Sequence, residues 1–303
     1  MKSKWFSLLL LAVIVLSACQ AMQPMVDVAT QVGVASGKIT QSQADSISRS
    51  TQAVGKTFED ITPEQEYYIG RAVAASVLYQ YRPYDQVELN LYVNAVGQTL
   101  AQASNRPQTF GGYHFQVIDS MEINAFAAPG GLILVTRGML RCCKTEDALA
   151  AVLAHEIGHV QNQDGLRAIK TSRLTSALTI IASEGAKQYG GQNLAQLTQV
   201  FEGSVADVVN TLVVNGYSRE QERQADEAAI IILKRVGYNP YALVEMLMVM
   251  KGQLKPGGPG FGKTHPDPQE RINAIQALAG SPGKVPPPVA RQTRFERALA
   301  VNG

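Results

Sequence analysis

The sequence predicts an α+β fold, mainly α, with one small β-sheet. Three observations carry that reading. Apolar residues recur at helical spacing, and three of the stretches begin at N-cap residues, Thr62, Thr145 and Ser218. Only two short runs, 115–118 and 132–136, concentrate β-branched and aromatic residues. A chain of 303 residues, 46% apolar and 17% charged, can bury a full core, which excludes disorder or a coiled coil for most of its length.

The elements follow in order. Thr62-Pro63-Glu64-Gln65 joins an N-cap, a proline at the first helical position and a capping-box glutamine, so a helix is expected over 62–79. A second is expected over 87–103, ended by Ser104-Asn105-Arg106-Pro107. The strands at 115–118 and 132–136 are separated by Asn124-Ala125-Phe126 and Pro129-Gly130-Gly131, read as connection. Thr145, with Glu146 and Asp147 in the first turn, caps a helix through residue 160. Residues 166–215 are helix-compatible but interrupted by glycines. Helices are expected over 218–236, 241–250 and 268–279, followed by a Pro-rich tail over 280–303 that hugs the surface or is disordered. No repeat of 30–40 residues is present.

The N-terminus reads as a secretion signal over 1–18: Lys2 and Lys4, then an apolar run too short to span a bilayer. Leu16-Ser17-Ala18-Cys19 resembles a bacterial lipobox, which makes Cys19 the lipidated first residue of the mature chain, attached to the membrane, and 19–57 its tether. Lys and Arg number 27 against 25 Asp and Glu; without Lys2 and Lys4 the balance is 25 against 25, so no basic surface for nucleic acid is implied. Cys142 and Cys143 are adjacent and cannot staple distant parts of the fold. They are read as buried thiols, a strained vicinal disulfide or an intermolecular contact. No residue pattern sets an oligomeric state.

The chemistry concentrates at His155-Glu156-Ile157-Gly158-His159. Residues four apart share a helical face, so both imidazoles can bind one metal, with Glu156 beside it. With four histidines in the chain, composition alone yields such a pattern about 0.004 times. The flanking Ala151, Val152, Leu153, Ala154, Ile157 and Val160 make the helix a buried one. A catalytic zinc site normally has three protein ligands and an open position. The third is sought in 218–226, where Glu222 and Asp226 are four apart, one to bind metal and the other to orient an imidazole, with Glu220 as the alternative ligand. His114 alternates within a strand and is read as structural.

Together with Tyr217-Ser218-Arg219, Asn124-Ala125-Phe126 before Pro129-Gly130-Gly131, and Thr264-His265-Pro266 followed by Arg271-Ile272, these motifs resemble the HExxH zinc metallopeptidases that include HtpX, BepA and the CAAX prenyl endopeptidases. The resemblance covers 58–279 and implies a zincin-like (gluzincin) metalloprotease domain with the sheet lining its cleft. It implies one Zn2+ per chain held by His155, His159 and Glu222, and Glu156 as the base that takes a proton from zinc-bound water. It makes Asp226 the residue that orients a ligand histidine. The strand holding Leu132, Ile133 and Leu134 becomes the edge to which substrate adds, with Asn124 beside it. His265 either fills the open position and blocks the site, stabilises the oxyanion, or merely belongs to a cap of the last helix. The chain lacks the transmembrane helices of HtpX and the prenyl endopeptidases and the helical-repeat domain of BepA. The resemblance is therefore to a compact lipoprotein type, at the outer membrane facing the periplasm, hydrolysing unfolded or misassembled envelope proteins. The alternative is a zinc-containing chaperone or assembly factor with a His265-blocked site.

Overall fold

A computed structural model describes residues 61–169, 191–253, 261–265, 268–281 and 288–300. The signal segment, Cys19 and the tether lie outside the described residues. Contacts divide the chain into one unit of 62–170 and 189–303 and another of 1–61 and 171–188; only the first is described below.

Helix α1, Pro63–Gln80, opens on the expected reciprocal cap: Gln65 N–H donates to Thr62 Oγ1 at 3.2 Å and Thr62 N–H to Gln65 Oε1 at 2.9 Å. Helix α2 is Val87–Gln102. The sheet follows as β1, His114–Ile118, then β2, Ala125–Ala128, and β3, Leu132–Thr136. The chain continues with α3, Arg137–Cys142; α4, Glu146–Gln161; α5, Gly191–Asn210; α6, Arg219–Val236; α7, Tyr241–Gln253; α8, Pro268–Ala279; and α9, Val289–Ala300. None of the described helices is long and apolar enough to cross a membrane.

The sheet overturns one expectation. Its strand order is β1-β3-β2, with β1 parallel and β2 antiparallel to β3, so Leu132, Ile133 and Leu134 lie on the central strand and not at an edge. The reason is β2: Ala-Phe-Ala-Ala carries no β-branched residue and no alternation, yet it is buried throughout and pairs with β3 from Ala125↔Val135 to Ala128↔Leu132. Gly130 and Gly131, at φ 77° and 96°, make the reversal between the two strands. The outer side of β1 is closed by side chains of α2. Asn94 exchanges hydrogen bonds with Phe115 N and O at 3.1 and 2.6 Å, and Asn90 Oδ1 accepts from Val117 N at 2.9 Å. The sheet's remaining edge is β2, which packs against α4.

Helix α4 runs through the middle of the described unit. Thr145 caps it at 3.1 Å through Ala148 N–H, and every residue from Glu146 to Val160 is buried against α2, α6, α7 and the sheet. At Gly158 the backbones of α4 and α6 nearly touch: a Cβ there would sit 2.8 Å from the Ala225 carbonyl oxygen.

The C-terminal segment also differs from expectation, since 289–300 form a helix where a tail is predicted. Phe295 and Ala298, three apart, bury one face of α9, while Arg294 donates to Glu146 and Arg291 to Asp147 at 3.1 Å, both at the N-terminus of α4. The polar composition hides this docking, because two carboxylates on another helix provide much of it. Cys142 and Cys143 are free, buried thiols; burial pushes both up in pKa, and Cys142 Sγ donates to Gln253 Oε1 at 3.0 Å. His114 is exposed, its Nε2 2.8 Å from Gly111 O.

Glu146 has no exposed surface and accepts from Tyr92 and Tyr238 hydroxyls at 3.0 and 2.8 Å as well as from Arg294. Burial pushes its carboxyl up, but these donors outweigh burial and hold it below the ordinary range. A depressed folded-state pKa stabilises above the unfolded value of about 4.3, and that stability disappears as pH falls through the folded value. Neighbouring Asp147, pushed up by burial against the pull of Asn239 N–H and Arg291, contributes with the opposite sign. Glu146→Ala is expected to destabilise the fold by about 2 kcal/mol, because the buried Tyr238 hydroxyl and the part-buried Tyr92 hydroxyl lose their acceptor. Urea midpoints should also fall less steeply on acidification for the variant than for the parent.

Candidate metal centre and active site

His155 and His159, one turn apart on α4, turn their Nε2 atoms toward each other at 3.1 Å. Each is held by a carboxylate on its other nitrogen: His155 Nδ1 lies 2.8 Å from Asp226 Oδ1 and His159 Nδ1 2.8 Å from Asp164 Oδ2. Ionised carboxylates only accept, so each Nδ1 carries a proton and each ring directs its Nε2 inward, where its lone pair can bind a metal once the ring is neutral. The close approach at Gly158 brings Glu222 of α6 to the pair, with Oε1 3.4 Å from His159 Nε2 and Oε2 3.6 Å from His155 Nε2. Asp226 follows one turn later. Glu220 is elsewhere, on the surface and paired with Arg223.

His265 joins them. It follows a single helical turn, Phe261–Thr264, and its Nδ1 is 2.8 Å from Glu222 Oε1 and 3.3 Å from His155 Nε2, with Nε2 4.0 Å from Glu156 Oε1. The Phe261 ring stacks on it at 4.0 Å between centroids. Three bonds tie the segment down: Phe261 N–H to Ile123 O at 2.8 Å, Tyr217 N–H to Thr264 O at 3.1 Å, and Thr264 Oγ1 to Asn124 Oδ1 at 3.4 Å. Asn124 is itself 3% exposed, with Oδ1 also accepting from Ala125 N–H at 3.0 Å, so its carbonyl oxygen faces the fold.

The donor set fits a metal ion. One atom each from His155, His159, Glu222 and His265 lie within 4.8 Å of one another, and all four residues are buried. Zinc about 2.0–2.1 Å from each of four ligand atoms spaces them about 3.3 Å apart in a tetrahedron, close to the separations between these imidazole nitrogens and carboxylate oxygens. Beside the cluster, Glu156 is completely buried and neither carboxylate oxygen has a hydrogen-bond partner. A buried carboxylate without donors is costly, as expected of one placed to meet a water or substrate proton.

The electrostatics separate the two imidazoles: His155 favours the neutral ring, whereas His159 favours a proton that a metal ion has to displace before Nε2 can bind it. Burial, then the Arg271 guanidinium, holds His155 below the ordinary histidine value. Burial disfavours charge on His159 as well, but Asp164 and Glu222 outweigh it and push it up to about 10. Burial opposes charge on Glu222, yet His265 and Arg271 hold its carboxyl well below the usual range. Asp226 is likewise lowered, chiefly by Arg271 acting against burial.

Three site residues have no role assigned from sequence: Tyr217 and Arg271 stand there only within motifs, and Asp164 is not singled out. Asp164 lies just past the helix, and it reaches His159 because Gln163 adopts a left-handed conformation, φ 57°, that turns the chain back. Tyr217 stacks on the His159 ring with centroids 4.1 Å apart. Arg271, noted in sequence only as part of a motif, is 5% exposed and pairs with both Asp226 and Glu222. The spacing between Arg271 and these acids gives no periodic signal.

The family model for peptidase family M48 matches residues 88–279. The chain is 30% identical over 190 residues to the β-barrel assembly-enhancing protease of Escherichia coli (strain K12), covering 61% of this chain and 37% of that protein. It is 30% identical over 189 residues to the mitochondrial metalloendopeptidase OMA1 of Schizosaccharomyces pombe, covering 61% and 52%. To a protease HtpX homolog of Acaryochloris marina it is 29% identical over 223 residues, covering 62% and 72%. The matched region thus spans well under half of the E. coli relative and about half of the yeast one. Because the family model takes in most of the chain, and with it both halves of the histidine and carboxylate cluster, this protein belongs to peptidase family M48.

Proposed function

We propose that the protein is a zinc-dependent endopeptidase acting on unfolded or misassembled cell-envelope proteins. The observation that carries the reading is the unpartnered, buried carboxylate of Glu156 beside converging imidazole and carboxylate donors. A purely structural zinc site has no need of such a group. His155, His159 and Glu222 would hold the ion, which supplies a Lewis acid to polarise a peptide carbonyl and acidify water. Glu156 takes a proton from the attacking water and delivers it to the amine nitrogen as the C–N bond breaks. Asp226 and Asp164 keep each imidazole oriented throughout.

Substrate in this reading lies along β2, the sheet edge next to α4, rather than along β3. His265 occupies the fourth corner of the cluster, so it must withdraw before a substrate carbonyl can enter. The same position supports a second reading, a zinc-containing chaperone or assembly factor that holds extended clients and seldom cleaves them. Envelope placement rests on the signal segment and on Cys19 as a lipid anchor, with the outer membrane facing the periplasm as the site. The name of the E. coli relative, a β-barrel assembly-enhancing protease, is consistent with that setting.

Three measurements test these roles on the full chain. Casein cleavage should be abolished by a zinc chelator and should fall by about 100-fold or more in Glu156→Gln with metal content unchanged. Full in vivo function of that variant with zinc bound would favour the chaperone reading. His265→Ala should raise cleavage, by about tenfold for each 1.4 kcal/mol with which His265 favours the closed site. A fall with zinc retained would assign His265 to the oxyanion instead, and no change would remove both roles. Asp164→Asn should weaken zinc binding by about 10–100-fold in chelator competition, because the acceptor that orients His159 loses its negative charge.

A further inference from the structure

Arg271 places a guanidinium inside the cluster from α8, an element that supplies none of the converging donors. Its Nε donates to Asp226 Oδ2 at 2.8 Å and its Nη2 to Asp226 Oδ1 at 2.6 Å, a two-point grip on one carboxylate. The same Oδ1 accepts from His155 Nδ1 at 2.8 Å. The third nitrogen, Nη1, lies 3.0 Å from Glu222 Oε2. One side chain therefore reaches Glu222 directly, and His155 both through Asp226 and directly, with Nη2 3.3 Å from His155 Nδ1.

The two oxygens of Glu222 are unequal as a result. Oε1 faces His159 Nε2 at 3.4 Å and His265 Nδ1 at 2.8 Å, whereas Oε2, 3.6 Å from His155 Nε2, lies closer to the Arg271 guanidinium, 3.0 Å from Nη1. A glutamate can give a metal one oxygen or two, and a cation held against the second oxygen competes for it. We infer that Arg271 is a positioning residue that restricts Glu222 to one-oxygen coordination and locks His155 through Asp226. A lysine cannot substitute, because a single ammonium cannot span both carboxylates in the planar geometry of the fork. An ion pair serving only to fasten α8 to α6 would affect stability and leave coordination unchanged. The inference rests on the metal site proposed above.

The test is cobalt(II) substitution in the full chain, comparing the parent with Arg271→Lys and Arg271→Gln. Loss of the guanidinium should free Glu222 Oε2, raise the coordination number and weaken the intense visible bands of four-coordinate cobalt. Zinc affinity from chelator competition should fall by about 10–100-fold in both variants. Thermal midpoints of the metal-free proteins report the structural contribution separately. If Arg271→Gln does not fold, Arg271→Lys, which keeps the buried charge, carries the test. A parent-like cobalt spectrum and zinc affinity in folded Arg271→Lys would overturn the inference while leaving the metal site intact. A parent protein that binds no cobalt would instead overturn the metal-site reading itself.

Discussion

Helix α4 is buried on every side from Glu146 to Val160, yet it carries two carboxylates at its start and a histidine, a glutamate and a second histidine near its end. Burying an ionised side chain without partners costs several kcal/mol, comparable to what one fully buried leucine contributes. Much of the structure around α4 answers that constraint. At its N-terminus Glu146 takes up Tyr92, Tyr238 and Arg294, and Asp147 takes up Arg291, which is how α9 comes to dock. Toward its C-terminus Asp226, Asp164 and Glu222 meet the histidines, and Arg271 meets two of those acids in turn.

Glu156 is the exception. Both of its oxygens are buried without a donor, while Glu222, Asp226 and Asp164 each have at least one hydrogen-bonded oxygen. Glu156 sits with His265 Nε2 4.0 Å from Oε1, Gly158 letting α6 approach to backbone contact and the 261–265 segment closing over the cluster. A site that leaves one charge unanswered is arranged for something that arrives, which is why the geometry reads as a reaction centre rather than a structural one.

The segment holding His265 joins two otherwise separate features. It is bonded to Ile123 and Asn124 ahead of β2, and to Tyr217 ahead of α6. Movement of His265 away from Glu222 would therefore pull on the entrance to the edge strand and on the residue stacked against His159. One short segment thus ties the His265 position to the residues before β2 and to the ring stacked on His159.

Much was legible locally. Helix starts at Thr62, Thr145 and Ser218 follow from side-chain caps that act within four residues, and the placing of His155, Glu156 and His159 follows from the period of one helix. The pairing of Glu222 with Asp226 on one face is equally local; spacing leaves open which of them faces the histidine Nε2 atoms, the family resemblance names Glu222, and Glu222 is the one that faces them. What the sequence could not decide depends on surfaces that meet only in the folded chain. Ala125–Ala128 is a strand because β3 and α4 enclose it, not because its residues favour one. Asp164 finds His159 through a single left-handed residue, and Arg271 finds two acids on another helix. Short-range periodicity determined the ligand helix; burial of its charges, which only the tertiary contacts can satisfy, decided what surrounds it.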